Sequence, residues 1–264
     1  MSTEVTKPAA SAVAVPSARF AALAEAAKAA AAKERPSITK VSLKAGVISI
    51  GGQPAPGNRL EGVVLATTYR NTFYPGRYDP NNIVNPKCWA LSVTDEGMAP
   101  GDTVLKPEHT ACESCPRSEW GSDLNGGRGK ACKQSRRLVI LPADALKGDD
   151  FVDRIKSAEL AILDVPVTSV KNWAQYVNIL ASTVQLPPWA VVTEFSTKPD
   201  PKTQFKLELR GLRGADNEAM LDALESRIAE ATRIGLLGYE AAEDDEDPDA
   251  PPKAEAKPAG KKKF

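Results

Sequence analysis

The chain contains one histidine, His109, and only 6 % of its 264 residues are aromatic. A single histidine leaves little room for histidine-based acid–base chemistry or histidine-rich metal hydrolysis. No apolar run approaches the roughly 20 residues a membrane helix needs, so no membrane partner is expected. The Ala-rich N-terminus carries Glu4, Glu25 and Glu34 and has no Leu-rich centre, unlike a secretion signal. Four cysteines are too few to build a disulfide scaffold, which favours a reducing, cytoplasmic setting. Phosphate-binding Walker loops, nucleophile elbows and dinucleotide fingerprints are missing too. Zinc deaminases need a His-x-Glu upstream of their Cys-x-x-Cys, and here His109 is followed by Thr110 and Ala111. The expectation is a protein that is not an enzyme.

Excess charge of one sign is also lacking, since 34 Lys and Arg balance 34 Asp and Glu. Neutrality excludes a uniformly basic nucleic-acid binder but not a polarised one. Residues 240–264 hold 8 acids and 5 bases, so the remainder is net positive by 3.

What is present divides into three parts. Residues 1–37 form an Ala-rich arm with few large apolar side chains, and residues 239–264 form an acidic and basic tail that cannot build a core. The folded domain is expected over 38–238. Within it, Val41–Val47 alternates with a phase slip near Gly46, and Leu60–Thr72 reads as a long strand with Val63, Leu65, Thr67 and Tyr69 on one face. Short strands follow at Lys87–Ser92, Leu138–Leu141 and Leu160–Val165. A helix begins at a Ser169 cap, carries Trp173 and Tyr176 as packing residues, and stops at Pro187-Pro188. A hairpin spans Ala190–Leu209, and one amphipathic helix covers Asn217–Leu237. Strands, then a helix, then two strands is the order of a small oligonucleotide-binding (OB) barrel. The fold class expected is therefore mainly β (α+β), OB-like, with a cysteine-rich insertion at about 93–136. An α+β sandwich of the same elements is the alternative.

Cys88, Cys112, Cys115 and Cys132 have the spacing of a structural zinc site, with Cys112-Glu-Ser-Cys115 as the knuckle. His109 is an alternative fourth ligand in place of Cys88, and free or redox-active thiols are the third reading. The insertion is too polar to fold by apolar burial, and a metal would supply the missing stability. With four protein ligands such a zinc is a scaffold.

No acid occurs between Leu124 and Ala143, while Arg128, Lys130, Lys133, Arg136 and Arg137 all do. A second cluster interleaves Tyr69, Arg70, Phe73, Tyr74, Arg77 and Tyr78, with Trp89 beside Cys88. Cations with exposed rings are what a single strand needs, phosphates pairing with the cations and bases stacking on the rings. Phe73, Tyr74 and Tyr78 lie in turn-like sequence and are expected to be exposed. Tyr69 and Trp89 read equally well as core, and Trp120 either stacks on a ligand or covers the metal. Six acids among Glu243–Asp249 could compete for a basic groove, present the tail to replication proteins, or merely solubilise the chain.

The words Pro-Lys-Cys-Trp-Ala-Leu, Cys-Glu-Ser-Cys-Pro, Glu-Trp-Gly-Ser, Gly-Arg-Gly-Lys-Ala-Cys and Arg-Arg-Leu, over roughly residues 45–210, resemble those of a set of phage proteins. With the barrel order, the acidic tail and a terminal Phe264, the chain resembles phage-encoded single-stranded DNA-binding replication proteins. That resemblance implies sequence-tolerant binding of single-stranded DNA in replication or recombination, with a structural zinc. Lys261–Lys263, after the acidic run, depart from the pattern. The alternative function is a zinc-stabilised protein-interaction module that regulates a polymerase or another partner.

Overall fold

The computed structural model describes residues 38–76, 84–124 and 126–239. The N-terminal arm, Arg77, Tyr78 and the tail from Glu240 lie outside the described residues. Nine strands form one curled sheet, with helices in the minority. They are β1 (Thr39–Ser42), β2 (Ser49–Ile50), β3 (Gln53–Pro54), β4 (Arg59–Phe73), β5 (Cys88–Ser92), β6 (Lys133–Pro142), β7 (Ala161–Val165), β8 (Val191–Asp200) and β9 (Gln204–Gly214). Their order is β3-β2-β1-β7-β6-β4-β8-β9, with β5 paired to the far end of β4.

The fifteen-residue β4 is the spine, and its branched and aromatic residues suit a pleated, half-buried surface. Its first part pairs with β8, its length with β6 and its last part with β5. The expected single face Val63-Leu65-Thr67-Tyr69 does not hold. A register shift between Val64 and Ala66 makes Leu65 an extra residue, and the alternation changes phase there. Leu60 and Val64 face the core before the shift; Thr67, paired with core Leu138, faces it afterwards.

Residues from strands far apart in the sheet, Val41 on β1 and Leu207 on β9, share one core cluster, which places that core inside the curl. The plug is α2 (Val170–Ile179), which inserts Trp173 and Tyr176, followed by a wider turn that adds Leu180. Gln185, in left-handed conformation (φ 58°), ends this helix just before the two prolines. Ser169 does not cap α2 as expected. Its hydroxyl instead accepts from the backbone N–H of Leu207 (2.9 Å) and satisfies an outer group of β9. Asn58 joins the two sides of the curl. Its Oδ1 accepts from Ile48 N (2.7 Å), and its Nδ2 donates to Gly46 O (2.9 Å) and Thr197 Oγ1 (2.8 Å). The phase slip near Gly46 is a tight turn between β1 and β2, with Ala45 and Gly46 both at positive φ.

The convex side is covered by the chain's end. The expected helix 217–237 is two helices, α3 (Glu218–Ser226) and α4 (Ile228–Gly235), which meet at Arg227. That buried guanidinium turns inward to the carbonyls of Ile155 and Ala158 at the end of α1 (Phe151–Ser157), groups otherwise without helical partners. A Cβ on Gly235 would lie 2.9 Å from Thr68 Cγ2, so only glycine lets α4 sit this close to β4. The fold extends to Tyr239, past the expected boundary at 238. Strand β6 begins at Lys133, so the insertion ends at Cys132 and not at 136. No described helix is long and apolar enough to cross a membrane.

Candidate nucleic-acid interface

The insertion between β4 and β6 is organised around the cysteines. Cys88 opens β5 opposite Phe73, and Cys132 immediately precedes β6. In the knuckle, Cys115 N donates to Cys112 O (3.4 Å) and Ser118 N to Cys115 O (2.8 Å). Cys112 N is held by Met98 O (2.9 Å) and Cys132 N by Arg117 O (2.8 Å). All four thiols are free and line one small pocket with Asn71 and His109. Burial pushes the Cys132 thiol up to about 12, and the neighbouring Cys112, Cys115 and Cys88 add to the shift. Burial also raises Cys88 and Cys112, opposed by the backbone N–H of Glu108 at Cys88 and the Asn71 amide at Cys112. The thiols share a pocket without closing on one point: among the described residues no group of three His, Cys, Asp or Glu side chains is arranged as a ligand set. His109 lines the pocket, its Nδ1 engaged by the Ala111 backbone (3.2 and 3.3 Å).

Several residues expected in a groove are structural. Phe73, expected exposed, is 2 % exposed and packs on Ala131, Cys132 and Cys88, with Arg117 over its ring at 5.0 Å. Arg137 is buried, its Nε paired with Asp164 (2.8 Å) and its Nη1 donating to Leu237 O (2.7 Å). Arg70 donates from Nε to Tyr239 Oη (2.8 Å) and from Nη1 to Ser135 Oγ (3.1 Å), and lies 3.6 Å from Asp164. Trp89 is half-buried edge-on against Tyr239 at 5.7 Å. A Cβ on Gly238 would fall 2.0 Å from its ring. Tyr74 is half-buried beside the same group, and burial followed by the charge of Tyr239 raises its phenol. Neither Phe73 nor Tyr74 is the open platform that its turn-like sequence suggested.

A different set remains on the concave face. Along β6, Ile140 and Leu138 are core, while Arg136 and Gln134 continue the same face beyond it. Arg136 pairs across strands with Tyr69 and lays its guanidinium 3.7 Å from that ring's centroid. Both are partly exposed. Gln134 Oε1 accepts from Lys130 Nζ (2.9 Å), and that ammonium lies 5.4 Å from the ring centroid of Trp120. Lys133 pairs with Asp123 (3.1 Å), and Arg128 is exposed.

Comparison of the chain with protein-family models, curated proteins and solved structures finds no match.

Sequence reasoning passed over Gln134 and Tyr239 and left Trp120 undecided. Trp120 stands among Ser, Glu and Gly, where no core strand or helix could bury it, and that was its signal. Tyr239 follows Gly238 at the edge of the charged tail, and nothing local marks it as packed.

Proposed function

We propose that this chain is a non-catalytic, largely sequence-independent single-stranded DNA-binding protein. The carrying observation is the Tyr69–Arg136 stack on the concave face, beside the cysteine segment and continuous with Gln134 and Lys130. A flat ring with a guanidinium on it suits an unstacked base next to its phosphate. The five main strands β4, β6, β7, β8 and β9, with α2 between β7 and β8, follow the chain order of an OB barrel. Their sheet order, β7-β6-β4-β8-β9, agrees with that reading. In such a barrel the loop joining the first two strands borders the binding face, and the cysteine insertion occupies that loop here.

A structural Zn2+ held by Cys88, Cys112, Cys115 and Cys132 belongs to this proposal. The shared pocket and the N–H donors directed at Cys88 and Cys112 support it, because such donors stabilise thiolates and second-shell bonds orient ligands. His109 is the alternative fourth ligand, through the Nε2 opposite its backbone-bonded Nδ1. The proposed setting is phage replication or recombination in the host cytoplasm, and the motif resemblance is what supports it.

Intrinsic tryptophan fluorescence titrated with a dT oligonucleotide at two salt concentrations, with zinc content measured in parallel, tests the reading. Expected are salt-sensitive quenching and one zinc per chain; absence of binding at low salt overturns it. Metal-dependent capture of a protein without oligonucleotide affinity would instead support an interaction module.

A further inference from the structure

Trp120 is 80 % exposed, more than any other large apolar side chain among the described residues. The loop that carries it is tied down. Gly121 N and Asp123 N both donate to Gly129 O (3.0 and 3.1 Å). Ser122 Oγ accepts from Ala131 N (2.9 Å) and reaches the carbonyls of Arg117 and Glu119. Cys132 N fixes the base of the loop through Arg117 O. The indole is thus held in water by an ordered scaffold and forgoes the burial a large apolar side chain favours.

Its surroundings indicate the ligand. Lys130 contacts the ring, its ammonium also bonds Gln134, and Gln134 shares a face of β6 with Arg136, which lies on Tyr69. Two rings, Trp120 and Tyr69, therefore bracket two cations, Lys130 and Arg136, with Gln134 between the cations. A protein hot spot sits in a well-packed pocket that excludes water. This loop offers Gly121, Gly126, Gly127 and Arg128, with Leu124 as its one exposed aliphatic residue.

We infer that Trp120 is a second nucleobase platform, the outer end of a track whose inner end is the Tyr69–Arg136 stack, with Lys130 facing the phosphates between them. The inference rests on the single-strand reading above and adds where the strand runs. Only an unpaired strand can offer base faces to two separate rings, so the track selects single strands over duplex.

The test uses the full-length, zinc-loaded protein and a fluorescein-labelled dT oligonucleotide, with Trp120→Ala, Trp120→Phe and Tyr69→Ala variants. Trp120→Ala should weaken binding about 10- to 100-fold, the range for one lost base stack, without changing the salt slope. Trp120→Phe should retain most affinity but lose most of the intrinsic fluorescence quenching seen in wild type. Wild-type affinity in Trp120→Ala alongside a loss in Tyr69→Ala overturns this inference and leaves the single-strand reading standing. Unchanged quenching in Trp120→Phe also overturns it, even if Trp120→Ala folds poorly. If wild type itself binds no dT, the underlying reading falls.

Discussion

Tyr239 Oη accepts a 2.8 Å hydrogen bond from Arg70 Nε, joining the last described residue to the last part of β4 across 169 positions. The same short strap gives Leu237 O to Arg137, Tyr239 O to Thr103 Oγ1 (3.0 Å), and the Tyr239 ring to Trp89. Two arginines that composition assigned to phosphate are thus held on the convex side by Asp164 and this strap. Removing one partner of a buried charge leaves that charge uncompensated.

Tyr239→Phe should therefore lower stability by about 1–3 kcal/mol in urea denaturation, the cost of an unsatisfied buried donor. Asp164→Ala should cost at least as much, since Arg137 would lose its charge partner and keep the Leu237 carbonyl and the Tyr239 ring. Both variants should bind dT within about 2-fold of wild type under native conditions. A large loss of affinity in a folded Tyr239→Phe would return Arg70 to the interface.

Arg136→Gln should weaken dT binding and reduce the slope of log K against log salt by about 0.7, the value for one phosphate contact on a single strand. Arg136→Lys should restore the slope but not the full affinity, because an ammonium keeps the charge and loses the planar stack on Tyr69. Equal slopes for wild type and Arg136→Gln would remove Arg136 from the phosphate path.

Chelation under reducing conditions should release one zinc and loosen the segment between β5 and β6 while the curled sheet persists. The main core contains none of the four cysteines. Hydrogen exchange should show protection lost at Cys112–Cys132 and retained in β4 and β8. Cys115→Ser should reproduce the pattern, and His109→Ala should not. Zinc lost on His109→Ala would exchange the two candidate ligands.

The β8–β9 hairpin should be sensitive to acid. The Asp200 carboxylate is lowered to about 2, chiefly by Lys206 (2.9 Å) and then by the turn's own donors, the N–H of Lys202 and the N–H and hydroxyl of Thr203. A group whose folded-state pKa is depressed stabilises fully above its unfolded value, near 3.8, and loses that contribution as pH falls toward 2. The stability gap between wild type and Asp200→Asn should be constant from pH 5 upward, narrow below 4 and close near 2. A gap independent of pH in denaturant titrations would exclude this role.

The strand content and the site of α2 were legible in sequence because alternation and helical spacing are local properties. Glu208 and Arg210 alternate with Leu207 and Leu209 whatever lies opposite. The register shift at Leu65 was not legible: the apolar run Val63-Val64-Leu65-Ala66 carries no phase of its own, and only the pairing of β4 with β6 shows the extra residue. The break at Arg227 was hidden likewise, since its reason lies at Ile155 and Ala158. At the candidate site the four cysteines and the acid-free stretch stood out by spacing and charge alone.

Sequence by itself determined which residues were available: four thiols, three of them in one polar insertion, with cations and a few aromatics in and beside it. Tertiary structure decided their roles. Phe73 became core because it faces Cys132, and Arg70 and Arg137 became struts because Asp164 and the Tyr239 strap reach them. Arg136 stayed at the surface because β6 carries it past the reach of α2. Whether a cation meets solvent or a buried carboxylate depends on partners tens to hundreds of residues away, and local composition holds no record of them.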